Sequence, residues 1–257
     1  MLVLIGLGLF DEKDLTLRGI EEAKKADKVY IELYTTLWFG DFKKLEEIIG
    51  REIRVLRRKD LEENSAEILK EAETGNVVIF VGGDPLVATT HSALLLDAKK
   101  RGIKTKVIHN SSIASAIAET GLHLYKFGAS VTIPLPEKTK GKLPESIYET
   151  IKMNRDRGLH TLCLLDIDTE EKRFMSIKEA CNILLKLEEM KRDGIISLDE
   201  KVITFSKAGS EEAKIFFKQL RDLMEMEIEL PAVLIIPGIL HFTEKEFLEI
   251  ISSSPLD

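Results

Sequence analysis

The sequence predicts an α/β protein built in two parts, and three observations carry that expectation. Short apolar runs rich in Val, Ile and Leu alternate with stretches whose apolar residues recur at helical spacing. Several of these runs end in glycines or other small residues, at the strand ends where open parallel sheets hold ligands. The 257 residues are enough for one large domain or two of ordinary size, and the texture of the chain changes from Ile113 onward.

The stretch Asn76 to His91 organises the first part. Val77 to Val81 is an unbroken β-branched and aromatic run, expected as a strand buried on both faces. Gly82 and Gly83 follow, and with no Cβ they allow a sharp turn and a close neighbour. Asp84-Pro85 then stiffens the exit, because Pro fixes φ and donates no N–H. Ahead of it, Leu2 to Ile5 reads as a strand ending in Gly6-Leu7-Gly8-Leu9, and Thr16 to Ala26 as a helix. Lys28 to Leu33 is a strand. Asp41 caps a helix that stops at Gly50, and Ile53 to Leu56 is a strand. Asn64 and Glu67 have capping-box spacing for a helix ending before Gly75. Thr89 to Arg101 is a helix closed by Gly102, and Lys104 to Ile108 is the fifth strand, followed by His109-Asn110-Ser111-Ser112. Strand and helix in strict alternation imply a parallel sheet with helices on its faces.

From Ile113 a small-residue helix leads to the stretch Gly121 to Gly128, GLHLYKFG, and to a strand Ser130 to Ile133. Pro134 to Pro144 is a polar loop carrying lysines. Then come a helix Glu145 to Arg157, a strand Thr161 to Ile167, a long amphipathic helix Ile177 to Lys191 and a strand Lys201 to Ser206. Ala208-Gly209-Ser210 is expected to turn into another helix. Ala232 to Ile236 is the last strand, broken by Pro237-Gly238, and Thr243 with Glu246 is expected to cap the final helix. The domain boundary is placed near Ser111 to Ala114, and the halves are not repeats of one another.

Composition excludes several classes. With 37 basic and 44 acidic residues the net charge is −7, which argues against a general nucleic-acid binder. Cys163 and Cys181 sit in apolar contexts without partner spacing and are expected as buried thiols of a reducing compartment. No apolar run approaches a membrane span, and the first residues read as a strand rather than a signal peptide, so a cytoplasmic protein is expected. A high share of charged residues, 32%, with a lone glutamine, Gln219, leans toward a heat-adapted source.

The residues also limit the chemistry. There is no phosphate-binding loop of the GxxxxGK type, no HExxH, no CxxC and no nucleophile elbow. The five histidines, His91, His109, His123, His160 and His241, are scattered, with no acid or serine at a recognisable spacing. Gly6-Leu7-Gly8 begins like a dinucleotide fingerprint with Glu32 as the ribose acid, but Asp11 stands where the third glycine is needed. What remains is small and apolar residues at strand ends, at Gly8-Leu9, Gly82 to Asp84, Ser112-Ile113, Leu165-Asp166 and Ala208-Gly209. Such ends offer main-chain groups more than charges, which suits a nucleoside. They also suit a reaction that needs alignment more than acid–base work, such as methyl transfer from a sulfonium. At Gly82 to Asp84 a tight turn with no ligand is the plain alternative, and before Ile113 helix capping alone.

The chain resembles the diphthine synthases of the tetrapyrrole-methylase superfamily over nearly its whole length. The likeness rests on Ile5 to Leu9 with Asp11-Glu12, on Gly83 to His91, on His109 to Ile113, on Gly121 to Gly128 and on Gly158 to Leu162. It continues through Leu165 to Ile167, Ala208 to Ser210, and Pro237-Gly238 to Leu240-His241. Gly83-Asp84-Pro85 is shared across the superfamily; Thr89-Thr90-His91 and GLHLYKFG are the narrower marks. The resemblance implies two α/β domains, 1–112 with the parallel sheet and the glycine turn and 113–257 completing the site, with the cofactor in the cleft between them. It implies S-adenosylmethionine as cofactor, S-adenosylhomocysteine as product, and no metal. Carried over by motif, Leu9, Asp84, Val87, Ser112, Ile113, Leu165, Ala208 and Ala232 line the cofactor pocket. Asp84 and Ala232 are expected to act through their carbonyls, and Cys163 to pack without reacting. The implied substrate is the 3-amino-3-carboxypropyl histidine of translation elongation factor 2, methylated repeatedly on its amino group to diphthine as a step of diphthamide biosynthesis. Some relatives add a fourth methyl, on the carboxylate. A homodimer, no membrane and no nucleic acid are further expectations from the same source. No residue stands out as the base. The alternatives are a corrin or precorrin methyltransferase on the same fold and a non-catalytic nucleotide-binding module.

Overall fold

A computed structural model describes residues 1–253; positions 254–257 of the second expected domain lie outside the described residues. The chain divides into two compact units, Met1–Ser115 and Ala116–Asp257.

In the first unit the strands are β1 (Leu2–Gly6), β2 (Lys28–Glu32), β3 (Ile53–Leu56), β4 (Val77–Val81) and β5 (Thr105–Ile108). The helices are α1 (Leu17–Lys24), α2 (Phe42–Ile49), α3 (Arg58–Glu62), α4 (Ser65–Thr74) and α5 (His91–Lys100). The sheet has the order β3-β2-β4-β1-β5 and every pairing is parallel. Successive side chains of a strand point to opposite faces, so the apolar runs of β1 and β4 feed two cores. Leu2, Leu4, Val77, Ile79 and Val81 pack with Leu61, Ile68, Leu69, Leu94 and Ala98 of α3, α4 and α5. Val3, Ile5, Val78 and Phe80 pack on the other face with Ala23, Leu45 and Ile49 of α1 and α2. The helices following the adjacent strands β1 and β4 therefore lie on opposite faces. The chain leaves these two strands toward opposite faces, which makes a topological switch point at the carboxyl edge, where such sheets hold ligands.

Asp41 caps α2 through Lys43 N–H (2.8 Å), and Gly50 closes it in the left-handed region. Two expected details differ. Asn64 precedes α4 but forms no side-chain cap bond, so the Asn64–Glu67 capping box is absent. Helix α5 begins at His91, because Thr89 is held in the preceding turn by its hydroxyl's bond to the Pro85 carbonyl (2.7 Å).

Helix α6 (Ile113–Ala116) and a 3-10 turn to Thr120 lead on from the first sheet. Beyond them lie β6 (Val131–Ile133), α7 (Glu145–Asp156), β7 (Thr161–Leu165), the two-residue pair β8 (Ile167–Asp168) and β9 (Arg173–Phe174), and α8 (Ile177–Lys191). They are followed by β10 (Lys201–Ser206), β11 (Lys214–Gln219), α9 (Leu220–Glu225), β12 (Ala232–Ile236) and α10 (Phe242–Ser253). The sheet order is β11-β10-β12-β7-β6; only β6 and β7 run parallel, and the other pairings are antiparallel. One face packs on α7, α8 and α9 through Tyr148, Ile151, Leu184, Leu187, Leu220 and Leu223.

Three expectations are corrected here. Ala208 to Ser210 turns into strand β11, not a helix. Ser206 opposes Lys214 across a hairpin, and Phe216 and Phe217 are both buried, so pairing with β10 overrides local propensity. The strand expected over Thr161 to Ile167 breaks at Asp166, whose N–H is taken by the Ile133 carbonyl (3.1 Å) while Ile167 pairs with Phe174. Finally, α10 starts at Phe242, ahead of Thr243. The carboxylate of Glu244 accepts the His241 N–H at 2.6 Å, replacing the expected Thr243–Glu246 cap.

Candidate cofactor site

At the switch point the two glycine loops are stitched together. Gly8 N–H donates to the Gly83 carbonyl (3.2 Å) and Gly83 N–H to the Gly8 carbonyl (2.8 Å). Close approach explains Gly6: a Cβ there would lie 2.5 Å from the Gly83 oxygen and 2.7 Å from Asn110 Cβ. Gly83 has φ +64°, a conformation side chains disfavour, and a Cβ there would meet nothing nearer than Ser112 Cβ at 3.4 Å. Open backbone is therefore found at Gly83 beside Ser112, whereas Gly8 is covered by Asp14, whose Cβ would lie 2.3 Å from a Cβ there.

Three polar side chains fix these loops. Asp14 Oδ2 accepts the N–H groups of Leu9 (3.0 Å) and Phe10 (2.7 Å). Asn110 Nδ2 donates to the carbonyls of Gly6 (3.0 Å) and Asp14 (2.9 Å). Asp84, buried at 6% exposure, accepts Leu86 N–H on Oδ1 (3.0 Å) and Asn110 N–H on Oδ2 (3.2 Å), and Oδ2 lies 2.8 Å from His109 Nδ1. Three protein donors thus hold its carboxylate in place. The loop-fixing roles of Asp14 and Asn110 were not read from the sequence, although Asn110 stood in the expected capping or ligand stretch His109 to Ser112. The signal was there in type, two amide or carboxylate side chains beside glycines, but their partners lie as far as 104 positions away.

Within the first unit the structure places five expected residues along this edge. Leu9 is half-buried behind Asp14; Asp84 is buried; Val87 is half-buried, its N–H on the Asp84 carbonyl (3.2 Å). Ser112 is buried beside Gly83, and Ile113 is half-buried at the first position of α6. Glu32, the ribose-acid candidate, is fully buried and accepts from Tyr34 N–H (3.2 Å) and the Thr35 hydroxyl (2.7 Å), with His91 Nε2 at 2.9 Å. Glu32 is therefore committed to the interior rather than poised for a dinucleotide.

The second unit brings its three expected residues together on one sheet edge. Ser206 opposes Ala232, and Ala208 follows two positions on. The register that sets Leu234 against Cys163, extended by two residues, sets Ala232 against Leu165. Leu165 is half-buried at the carboxyl end of β7, and Ala208 and Ala232 are buried. These side chains supply apolar surface and no charge. Burial pushes the Cys163 thiol up strongly and the Cys181 thiol up to about 12, so neither is a nucleophile near neutrality.

Residues 1–224 match the family model described as Tetrapyrrole (Corrin/Porphyrin) Methylases. The diphthine synthase of Methanocaldococcus jannaschii is 46% identical over 253 residues, spanning 97% of this chain and 98% of that one. That of Methanococcus aeolicus is 42% identical over 251 residues, 97% of each. The chain belongs to this methylase family, among its diphthine synthases. A crystal structure of diphthine synthase superposes with a TM-score of 0.88 at 35% identity, covering 99% of this chain and 96% of that one. The chain is accordingly a methyltransferase with the tetrapyrrole-methylase fold. Among the described residues there is no group of three or more His, Cys, Asp or Glu able to hold a metal, and no helix long and apolar enough to cross a membrane.

Proposed function

We propose that this methyltransferase uses S-adenosylmethionine to methylate the amino group of the 3-amino-3-carboxypropyl histidine on translation elongation factor 2. Three successive transfers give the trimethylammonium product diphthine. The observation that carries this reading is the 46% identity, end to end, to a relative named diphthine synthase. The local geometry agrees with the cofactor: open backbone at Gly83 and uncharged edge residues suit a nucleoside held by main-chain groups.

When bound, S-adenosylmethionine supplies a methyl carbon on a positively charged sulfur, so the leaving group needs no acid. The chain has to hold the nucleophile in line and exclude water. In this reading Leu9, Asp84, Val87, Ser112 and Ile113 of region 1–112 and its junction line the pocket, with Leu165, Ala208 and Ala232 of region 113–257. Asp84 and Ala232 bind through their carbonyls. The enzyme works as a homodimer in the cytoplasm, where its protein substrate acts.

The test is mass spectrometry of elongation factor 2 bearing the aminocarboxypropyl histidine, after incubation with the enzyme and S-adenosylmethionine. A gain of three methyl groups is expected. No gain, from enzyme that binds S-adenosylhomocysteine in calorimetry, would move the assignment to a small-molecule methylase such as a corrin-precursor enzyme. Sedimentation equilibrium reads the dimer.

A further inference from the structure

A primary amine is mostly protonated near neutral pH, and only its neutral form has a lone pair to attack carbon. Converting it to a trimethylammonium releases three protons, so each transfer needs an acceptor. Most of the chain's five histidines are committed elsewhere. His91 is buried on Glu32, and His160 is buried with both ring nitrogens bonded. His123 and His241 share the Thr243 hydroxyl, at 3.3 Å and 2.8 Å.

His109 is different. It is the first residue beyond the carboxyl end of β5, next to Asn110, which clamps Gly6, and three positions before Ser112, which faces Gly83. Its Nδ1 lies 2.8 Å from Oδ2 of buried Asp84. An ionised carboxylate only accepts hydrogen bonds, so Nδ1 carries the proton and Nε2 keeps the lone pair. The side chain is 67% exposed, and among the described residues no hydrogen bond engages Nε2. Asp84 is itself fixed by Leu86 and Asn110 N–H groups, so the ring's direction is set by the same loop that forms the candidate cofactor edge.

We propose that His109, oriented by Asp84, is the general base that takes the proton from the substrate amine; this rests on the functional reading above. Nε2 accepts the N–H proton. The amine lone pair forms the N–C bond to the methyl carbon, and the C–S bond breaks with its electron pair going to sulfur, leaving the neutral thioether. The Asp84 carboxylate stabilises the imidazolium until solvent takes the proton, and exposure of the ring resets it for the next methyl.

His109→Gln and His109→Ala test this, with wild type as control. S-adenosylhomocysteine affinity by calorimetry is expected to be unchanged, and so is KM for the modified elongation factor. The rate constant for the first methyl is expected to fall on the order of a hundredfold to a thousandfold, and added imidazole to restore part of it in His109→Ala. In the free wild-type protein, nitrogen-resolved NMR should find the neutral ring protonated on Nδ1; Asp84→Asn should shift that tautomer. Wild-type rates in both variants, a loss that imidazole cannot restore, or a ring protonated on Nε2 would overturn the role of His109 while leaving the functional reading intact. Wild type unable to methylate the modified factor would overturn both.

Discussion

Two histidine–carboxylate pairs, one in each unit, use the same residue types to opposite ends. In the first, Asp84 is buried and His109 is 67% exposed, with Nδ1 on the carboxylate and Nε2 open. In the second, Glu244 and His160 are both at 0% exposure. There Gly238 N–H donates to His160 Nδ1 (2.9 Å), so Nε2 carries the proton and donates to Glu244 Oε1 (3.1 Å). Glu244 also accepts His123 N–H (2.8 Å), His241 N–H (2.6 Å) and the Lys126 ammonium (2.5 Å). Those partners come from the GLHLYKFG stretch, from the residue before β7 and from the turn ahead of α10. The sealed pair therefore fastens three segments of its own unit. The open pair leaves a lone pair in reach of solvent. Which nitrogen faces the carboxylate, and whether the other is used up, separates a fastening from a base.

The largest expected effect breaks the sealed pair. Glu244→Ala leaves a buried imidazole, an ammonium and two N–H groups without their acceptor, at a cost of about 3–5 kcal/mol. In a protein of this size that lowers Tm by roughly 10 °C in thermal unfolding. A drop no larger than that of an exposed substitution would show the cluster to be dispensable. Next comes pH. Burial alone would raise the Glu244 carboxyl, but hydrogen bonds from Lys126, His123, His241 and His160 hold it at about 2, below its ordinary 4.5. Burial also holds His160 below its ordinary 6.5, against the pull of Glu244 and with Lys126 and His123 nearby. Both folded values lie below the unfolded ones, so the unfolded chain binds protons first as pH falls. Stability is expected to decline from pH 6.5 downward, and further from 4.5 toward 2, by about 3 kcal/mol for Glu244. Denaturant midpoints measured from pH 8 to 3 read this, and Glu244→Gln should flatten the lower part; a level wild-type profile would refute it.

The open side gives the next smaller stability effects and larger functional ones. Gly83→Val forces a β-branched residue to φ +64° in the loop bridged to Gly8. It should cost about 1–3 kcal/mol and abolish S-adenosylhomocysteine binding in calorimetry. Normal binding would show that the cofactor does not lie against this loop. The smallest effect belongs to the rim of the sealed cluster. Thr243 is exposed and only bridges His123 and His241, so Thr243→Ala should change stability by less than ~0.5 kcal/mol. A larger loss would mean the rim, and not Glu244 alone, holds the cluster.

The sequence was most readable where structure is local. Val77–Val81 and Ile177–Lys191 coincide residue for residue with β4 and α8, because a buried β-branched run and a long 3.6-residue period each suffice within their own span. It was least readable where a partner strand decides. The stretch after Ala208 to Ser210 reads as a helix, yet Lys214 to Gln219 becomes β11 because β10 lies alongside. The candidate site divides the same way. Its glycines and Asp84 stand out by type, while the role of Asn110 shows only when the Gly6 carbonyl is seen opposite.

By itself the sequence determined the strand–helix alternation, the parallel first sheet with two buried faces and the membership in a methylase family. Only the tertiary structure decided which histidine meets which acid. Asp84 and His109 are 25 positions apart, Glu32 and His91 59, and His160 and Glu244 84. No periodicity spans such separations. The pairs form because strand order carries the ends of distant strands to a common edge, and burial there leaves each carboxylate only the donors that the fold has placed beside it.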